Sequence, residues 1–188
     1  MTTVAVCDYR AGNVRSVVSA FRRLGASAIV TSDCDEVLAA DLAVLPGVGA
    51  AGSAMADLRE RGLDRALRER VDAGGPTLGI CLGLQLALEE SEEDGGVPGI
   101  GLLPGRAVRL REGRVPRMGW AAVDAYGDAF YFAHSYAAET PAATATSEGV
   151  VAAAERGSFL GVQFHPEKSG AAGARFLRGC LDRCLSRG

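Results

Sequence analysis

Pro76-Thr77-Leu78-Gly79-Ile80 is a short apolar run that ends at Cys81, with a glycine two residues to either side of the cysteine, Gly79 and Gly83. Such a run reads as a strand turning sharply into a helix. The turn would expose the sulfur at the C-terminal edge of a sheet, as the nucleophile elbow of hydrolases exposes a serine. A nucleophile at such a turn is held in a strained backbone conformation that larger flanking side chains would obstruct, so small neighbours are required. The residues upstream alternate in the same way. Residues 3–8 are strand-like, and Val14, Val17, Val18, Phe21 and Leu24 mark one face of a helix that Gly25 closes. Residues 28–31 and 42–45 are the next apolar strands, the second ending at Pro46-Gly47-Val48-Gly49. Met55 and Leu58 mark a further helix, and Leu63, Leu67 and Val71 line another before the strand that leads to Cys81.

This order predicts an α/β fold, with a central, mostly parallel sheet flanked by helices and joined by right-handed crossovers. Sites in such sheets gather beyond the carboxyl ends of the strands, where both Pro46-Gly47-Val48-Gly49 and Cys81 fall. The second half changes character. Residues 102–103, 108–110, 120–123, 129–133, 142–146 and 150–154 are short strand candidates separated by turns, an antiparallel or mixed extension of the sheet. A helix over about 170–185 closes the chain, and the acidic run 89–96 reads as a helix end entering a solvated loop.

A second constellation lies in this half. Phe159-Leu160-Gly161-Val162-Gln163-Phe164 reads as a strand with His165-Pro166-Glu167 at its end. Side chains two apart on an extended chain point the same way, and Pro166 discourages helical geometry at His165. The pair can therefore face one site. A neutral imidazole would take the thiol proton, and the carboxylate would orient the ring and stabilise it once charged, the arrangement a thiol-based acyl transfer needs.

Composition bounds the rest. A chain of 188 residues, 48% hydrophobic, suits one domain over 1–188 with a sizeable buried core. The net charge of −3 comes from 20 basic and 23 acidic residues spread along the chain, which argues against a nucleic-acid groove or a membrane-binding face. Met1 leads directly into a strand-like run, and no stretch is long enough to span a bilayer, so a cytoplasmic protein is expected. Five cysteines without a Cys-x-x-Cys pair, and only two histidines, favour reduced thiols without a structural metal. Cys7, Cys180 and Cys184 lie among apolar residues and read as small buried hydrophobes, and Cys34 as incidental. Gly47-x-Gly49 lacks the rest of either nucleotide-binding motif. A glycine loop beside a nucleophile is better used to offer a backbone N–H to an oxyanion, with the Leu82 N–H as its companion.

Asp8-Tyr9-Arg10-Ala11-Gly12-Asn13, Leu45-Pro46-Gly47-Val48-Gly49, Gly79-Ile80-Cys81-Leu82-Gly83-Leu84-Gln85, Met118-Gly119-Trp120, Phe132-Ala133-His134-Ser135-Tyr136 and Gly161-Val162-Gln163-Phe164-His165-Pro166-Glu167-Lys168-Ser169 follow one another in this order. Together they resemble the glutaminase subunits of imidazole glycerol phosphate synthase, a family of class I triad glutamine amidotransferases of histidine biosynthesis. The resemblance implies hydrolysis of L-glutamine by Cys81, His165 and Glu167 without a cofactor. The ammonia would go to a (β/α)8-barrel cyclase subunit, bound as a heterodimer, that makes imidazole glycerol phosphate and an aminoimidazole carboxamide ribotide. It also implies that Gly49, Gln85, Ser135 and Tyr136 hold substrate, that Gly49 and Leu82 form the oxyanion hole, and that Asn13, Met118, Trp120, Tyr131, Tyr136 and Lys168 lie near the partner. Robust turnover would wait on the partner's ligand, through a peptide flip in the Pro46–Gly49 loop that glycine tolerates.

Two residues depart from the family pattern: Arg117 stands where a histidine is usual, and Ala121 where an asparagine is. Other readings of the triad are the glutaminase of pyridoxal phosphate synthase, whose usual Gly-Gly-Glu-Ser loop is absent, a stand-alone thiol hydrolase, and a catalytically silent binding subunit.

Overall fold

A computed structural model describes residues 1–10 and 13–185. The first half runs β1 (Thr3–Cys7), α1 (Val14–Arg23), β2 (Ser27–Thr31), α2 (Cys34–Ala39), β3 (Leu42–Leu45), α3 (Ala51–Glu60), α4 (Leu63–Asp72), β4 (Thr77–Ile80) and α5 (Leu82–Ala87). The second half runs β5 (Glu90–Ser91), a 3-10 turn (Glu93–Gly95), β6 (Val97–Pro98), β7 (Arg106–Arg109), β8 (Arg117–Val123), β9 (Asp128–His134), β10 (Tyr136–Glu139), β11 (Ala143–Ser147), β12 (Val150–Arg156), β13 (Phe159–Val162), a second 3-10 turn (Pro166–Lys168) and α6 (Gly170–Leu185).

Seven strands form the main sheet in the order β11-β12-β13-β4-β3-β1-β2, parallel from β13 to β2 and antiparallel at β11 and β12. The adjacency of β4 and β13 matters most for the site: Ile80 pairs with Val162, so the two chains leave the sheet edge side by side, one toward Cys81 and the other toward His165.

Alternation along the strands divides the core. Val4, Val6 and Val44 face a layer with Phe21 of α1 and Leu177 of α6, while Ala5, Ala43 and Leu45 face Met55, Leu63 and Leu67 of α3 and α4. The period of two in the strands and the helical spacing of Val17, Val18 and Phe21 meet in one packed layer. The expected extension is only partly a continuation of this sheet. Strands β11 and β12 extend it, but β10-β7-β5-β6 and β8-β9 are separate small sheets, and residues 102–103 are buried without being a strand. The pair β8-β9 is seated by aromatic packing. Phe130 stacks on Phe164 at 4.1 Å between centroids, and Tyr126 and Phe176 close the cluster edge-on. Phe164 immediately precedes His165, so this cluster fixes the chain that carries the imidazole.

Helix α2 went unread because its six residues are too few to show a period; Asp33 starts it by accepting from the N–H groups of Asp35 and Glu36 at 2.8 and 3.4 Å. Its other end is held by the buried Arg70, whose guanidinium donates to the carbonyls of Val37, Leu38, Asp41 and Pro76. Among the described residues no helix is long and apolar enough to cross a membrane, and no group of three His, Cys, Asp or Glu residues is placed to hold a metal.

Candidate active site

Cys81 joins β4 to α5 with φ 54° and ψ −108°, a conformation that costs a non-glycine residue of order 1–3 kcal/mol and is found at nucleophile turns. The flanking glycines serve close packing. A Cβ on Gly83 would lie 1.9 Å from the Leu45 carbonyl oxygen, and one on Gly79 would lie 2.7 Å from the Phe159 ring. The strain is carried by Cys81 itself, and its neighbours let α5 press against the sheet.

His165 leaves β13 and enters the second 3-10 turn, with its Nδ1 2.9 Å from Glu167 Oε1 and both side chains buried. Its main chain is clamped to β9: the His165 N–H donates to Tyr131 O at 2.8 Å, while the Ser169 hydroxyl donates to His165 O and accepts from the Tyr131 N–H. Burial pulls the imidazole pKa down, but hydrogen bonds to Cys81 and Glu167 outweigh it and lift the value to about 9. The ring therefore holds its proton at neutral pH, rather than standing neutral at rest as the sequence suggests. Asn13 completes the row, with Nδ2 donating to the same Glu167 Oε1 at 2.7 Å.

The sulfur also meets Gln163, whose Nε2 lies 3.5 Å from Cys81 Sγ and whose Oε1 accepts from Gln85 Nε2 at 3.1 Å. Gln85 donates as well to Tyr136 O at 2.8 Å. Gly49, Cys81, Leu82, Gln85, Ser135 and Tyr136 all border one cleft of about 340 Å³. The structure thus gathers in one place the residues that sequence reasoning proposed for substrate and oxyanion. It adds two that were missed. Gln163 was signalled only by being polar inside an apolar strand run. Glu93 lines the cleft from the acidic stretch, which is β5 and a 3-10 turn rather than a helix end in a solvated loop.

The Pro46–Gly49 loop is fastened at both ends. The buried Tyr9 hydroxyl donates to Pro46 O, and beyond the loop Glu93 Oε2 accepts from the Ala51 N–H at 2.9 Å. Gly49 between them has φ +114° with open space around it, the conformation that favours glycine.

Of the residues expected near a partner, Met118 and Trp120 are exposed at 64% and 60%, so Trp120 is not a core aromatic. It meets Tyr131 edge-on, opposite it in the β8-β9 pair. Lys168 is exposed in the 3-10 turn and is the only lysine of the chain. Arg117 lies across from His134, stacks on Phe132 at 4.3 Å and bonds Ser147 and Glu148, while Ala121 is half-buried on the same strand.

The family model described as "Glutamine amidotransferase class-I" matches residues 5–184. The chain belongs to the class I glutamine amidotransferases. Relatives named "Imidazole glycerol phosphate synthase subunit HisH" include one from Methanothermobacter thermautotrophicus, 47% identical over 95% of this chain and 98% of its own. Another, from Mycolicibacterium paratuberculosis, is 43% identical over 96% and 98%. Among solved structures, a glutamine amidotransferase at 22% identity superposes with a TM-score of 0.79 over 97% of this chain and 98% of its own. PurLQS from Thermotoga maritima does so at 18% identity, with a TM-score of 0.75 over 97% and 98%. These two share the amidotransferase fold.

Proposed function

We propose that this chain is the glutaminase subunit of an imidazole glycerol phosphate synthase of histidine biosynthesis, working in the cytoplasm as one domain over residues 1–188. It hydrolyses L-glutamine and passes the ammonia to a (β/α)8-barrel cyclase subunit, its partner in a heterodimer. The row of Cys81, His165 and Glu167, with Cys81 bordering the cleft and His165 hydrogen-bonded to both of the others, carries the reading, supported by the relatives named HisH.

With the Cys81 proton already on His165, Cys81 Sγ attacks the carbonyl carbon of the glutamine side chain, and the Gly49 and Leu82 N–H groups take the oxyanion. As the C–N bond breaks, His165 gives its proton to the departing ammonia, leaving a glutamyl thioester. Water then attacks the thioester, with His165 as base, and glutamate leaves. Glu167 orients the ring throughout. Gln85, Ser135 and Tyr136 hold the amino-acid end, where the Glu93 carboxylate suits the α-ammonium. Met118, Trp120, Tyr131 and Lys168, with Asn13 beside them, form the face toward the cyclase.

The test is glutamate release from glutamine by this chain with and without the cyclase and the cyclase's ligand. Large stimulation, lost on Cys81→Ala, is expected. Equal turnover by the isolated chain would overturn the coupling, and no Cys81-dependent turnover under any condition would overturn the activity.

A further inference from the structure

Asn13 occupies the N-cap position of α1, where an asparagine side chain ordinarily accepts from the N–H of the second or third helical residue. It makes no such bond, although its main-chain carbonyl accepts from the Ser16 N–H at 3.1 Å. Its backbone is left-handed, φ 71° and ψ 5°, one of the few conformations of positive φ that asparagine tolerates. A residue that forgoes its capping bond and adopts this backbone is spending its amide elsewhere. The amide goes to Glu167 Oε1 at 2.7 Å, the same oxygen that faces His165 Nδ1 at 2.9 Å. Glu167 Oε2 is buried and has no hydrogen-bond partner among the described residues, so the bonds that set the carboxylate's rotation converge on one oxygen.

We infer that Asn13 is a positioning residue of the catalytic machinery: its amide fixes the rotation of the Glu167 carboxylate and so holds that carboxylate against His165. Asn13, His165 and Glu167 border one small space with Pro46, Gly47 and Val48, which leaves little room for another side chain to take the amide's place. Without the amide the carboxylate turns about its side-chain bonds, and His165 loses the aligned acceptor on Nδ1. Cys81 on its other side, already the larger of the two groups favouring the protonated ring, is then left with little support from Glu167. Only the expected effect on glutamine turnover rests on the glutaminase reading.

Asn13→Gly removes the amide while suiting the left-handed backbone, so the fold is expected to survive. The chain has only two histidines, so imidazole NMR reads His165 directly, with His134 as the internal reference. In the variant the His165 midpoint is expected to fall by about half a unit to one unit, with His134 unmoved. In complex with the cyclase, kcat for glutamine is expected to fall roughly tenfold with KM within about twofold, because a general acid has been misaligned. An unchanged His165 midpoint overturns the inference, even if the variant melts earlier, since a purely structural asparagine would lower stability alone. A lowered midpoint in a protein without glutaminase activity would support the positioning role and reject the activity.

Discussion

Gln163 has no side chain of its own kind beside it in the strand run, yet it is fully buried between the nucleophile and Gln85. A buried amide without partners costs about 1–3 kcal/mol, so it is kept there by what it bonds. Gln163→Leu removes the donor to Cys81 Sγ and leaves Gln85 Nε2 with Tyr136 O alone. Glutaminase kcat is expected to fall about tenfold while the Tm changes by only a few degrees, since an apolar residue of similar size suits the pocket; kinetics beside calorimetry checks it. The triad was legible because each member carries a local mark: glycines around Cys81, and the two-residue spacing of His165 and Glu167. Gln163, Glu93 and Asn13 were not read for these roles, because each acts through a partner far away in sequence, and no spacing records that Asn13 meets Glu167 across 154 positions.

At the scale of elements, the longer helices of the first half were legible from their periods and its parallel strands from their apolar runs, while α2, β5, β6 and β10 were not. Two to four residues show no alternation, and these strands exist because their neighbours supply ladder bonds. The close approach of α5 to β3 rests on Gly83. Gly83→Ala would drive a methyl group into the rigid Leu45 carbonyl, 1.9 Å from its ideal Cβ position. Neither backbone can yield without moving the nucleophile turn, so a loss of at least about 3 kcal/mol is expected by chemical denaturation. Tyr9→Phe is a gentler test of the adjoining loop. The ring keeps its packing, Pro46 O loses its donor, and about 1–2 kcal/mol is expected to go. If the loop carries the oxyanion donor, kcat in the complex falls as well, with KM held.

For the whole molecule, two buried histidines bend stability in opposite directions with pH. Burial pulls His134 down to about 4, with its Nδ1 donating to Tyr136 O at 2.8 Å and Arg117 close by. In the unfolded chain the same ring titrates near 6.5. As pH falls from 6.5 toward 4 the unfolded state binds a proton that the folded state refuses, so stability drops. His165 works the other way. Folded, it keeps its proton to about 9, so its contribution is complete below about 6.5 and is lost as pH rises through that window. Cys7 and Cys180, both pushed up to about 12 by burial, add a further loss once unfolded thiols ionise near 8.5. The His165 arm is therefore read between pH 6.5 and 8, where the loss amounts to about 2 kcal/mol, or roughly 4–8 °C in Tm for a chain of this size. Calorimetry across pH 5–8 is expected to give a maximum near 6.5. His165→Asn should flatten the alkaline side and leave the acid side standing, and His134→Asn should do the reverse. A wild-type curve that is flat from 6.5 to 8 would mean that His165 is not held protonated by Cys81 and Glu167, and the proton for the departing ammonia would then have to come from the thiol at the moment of attack.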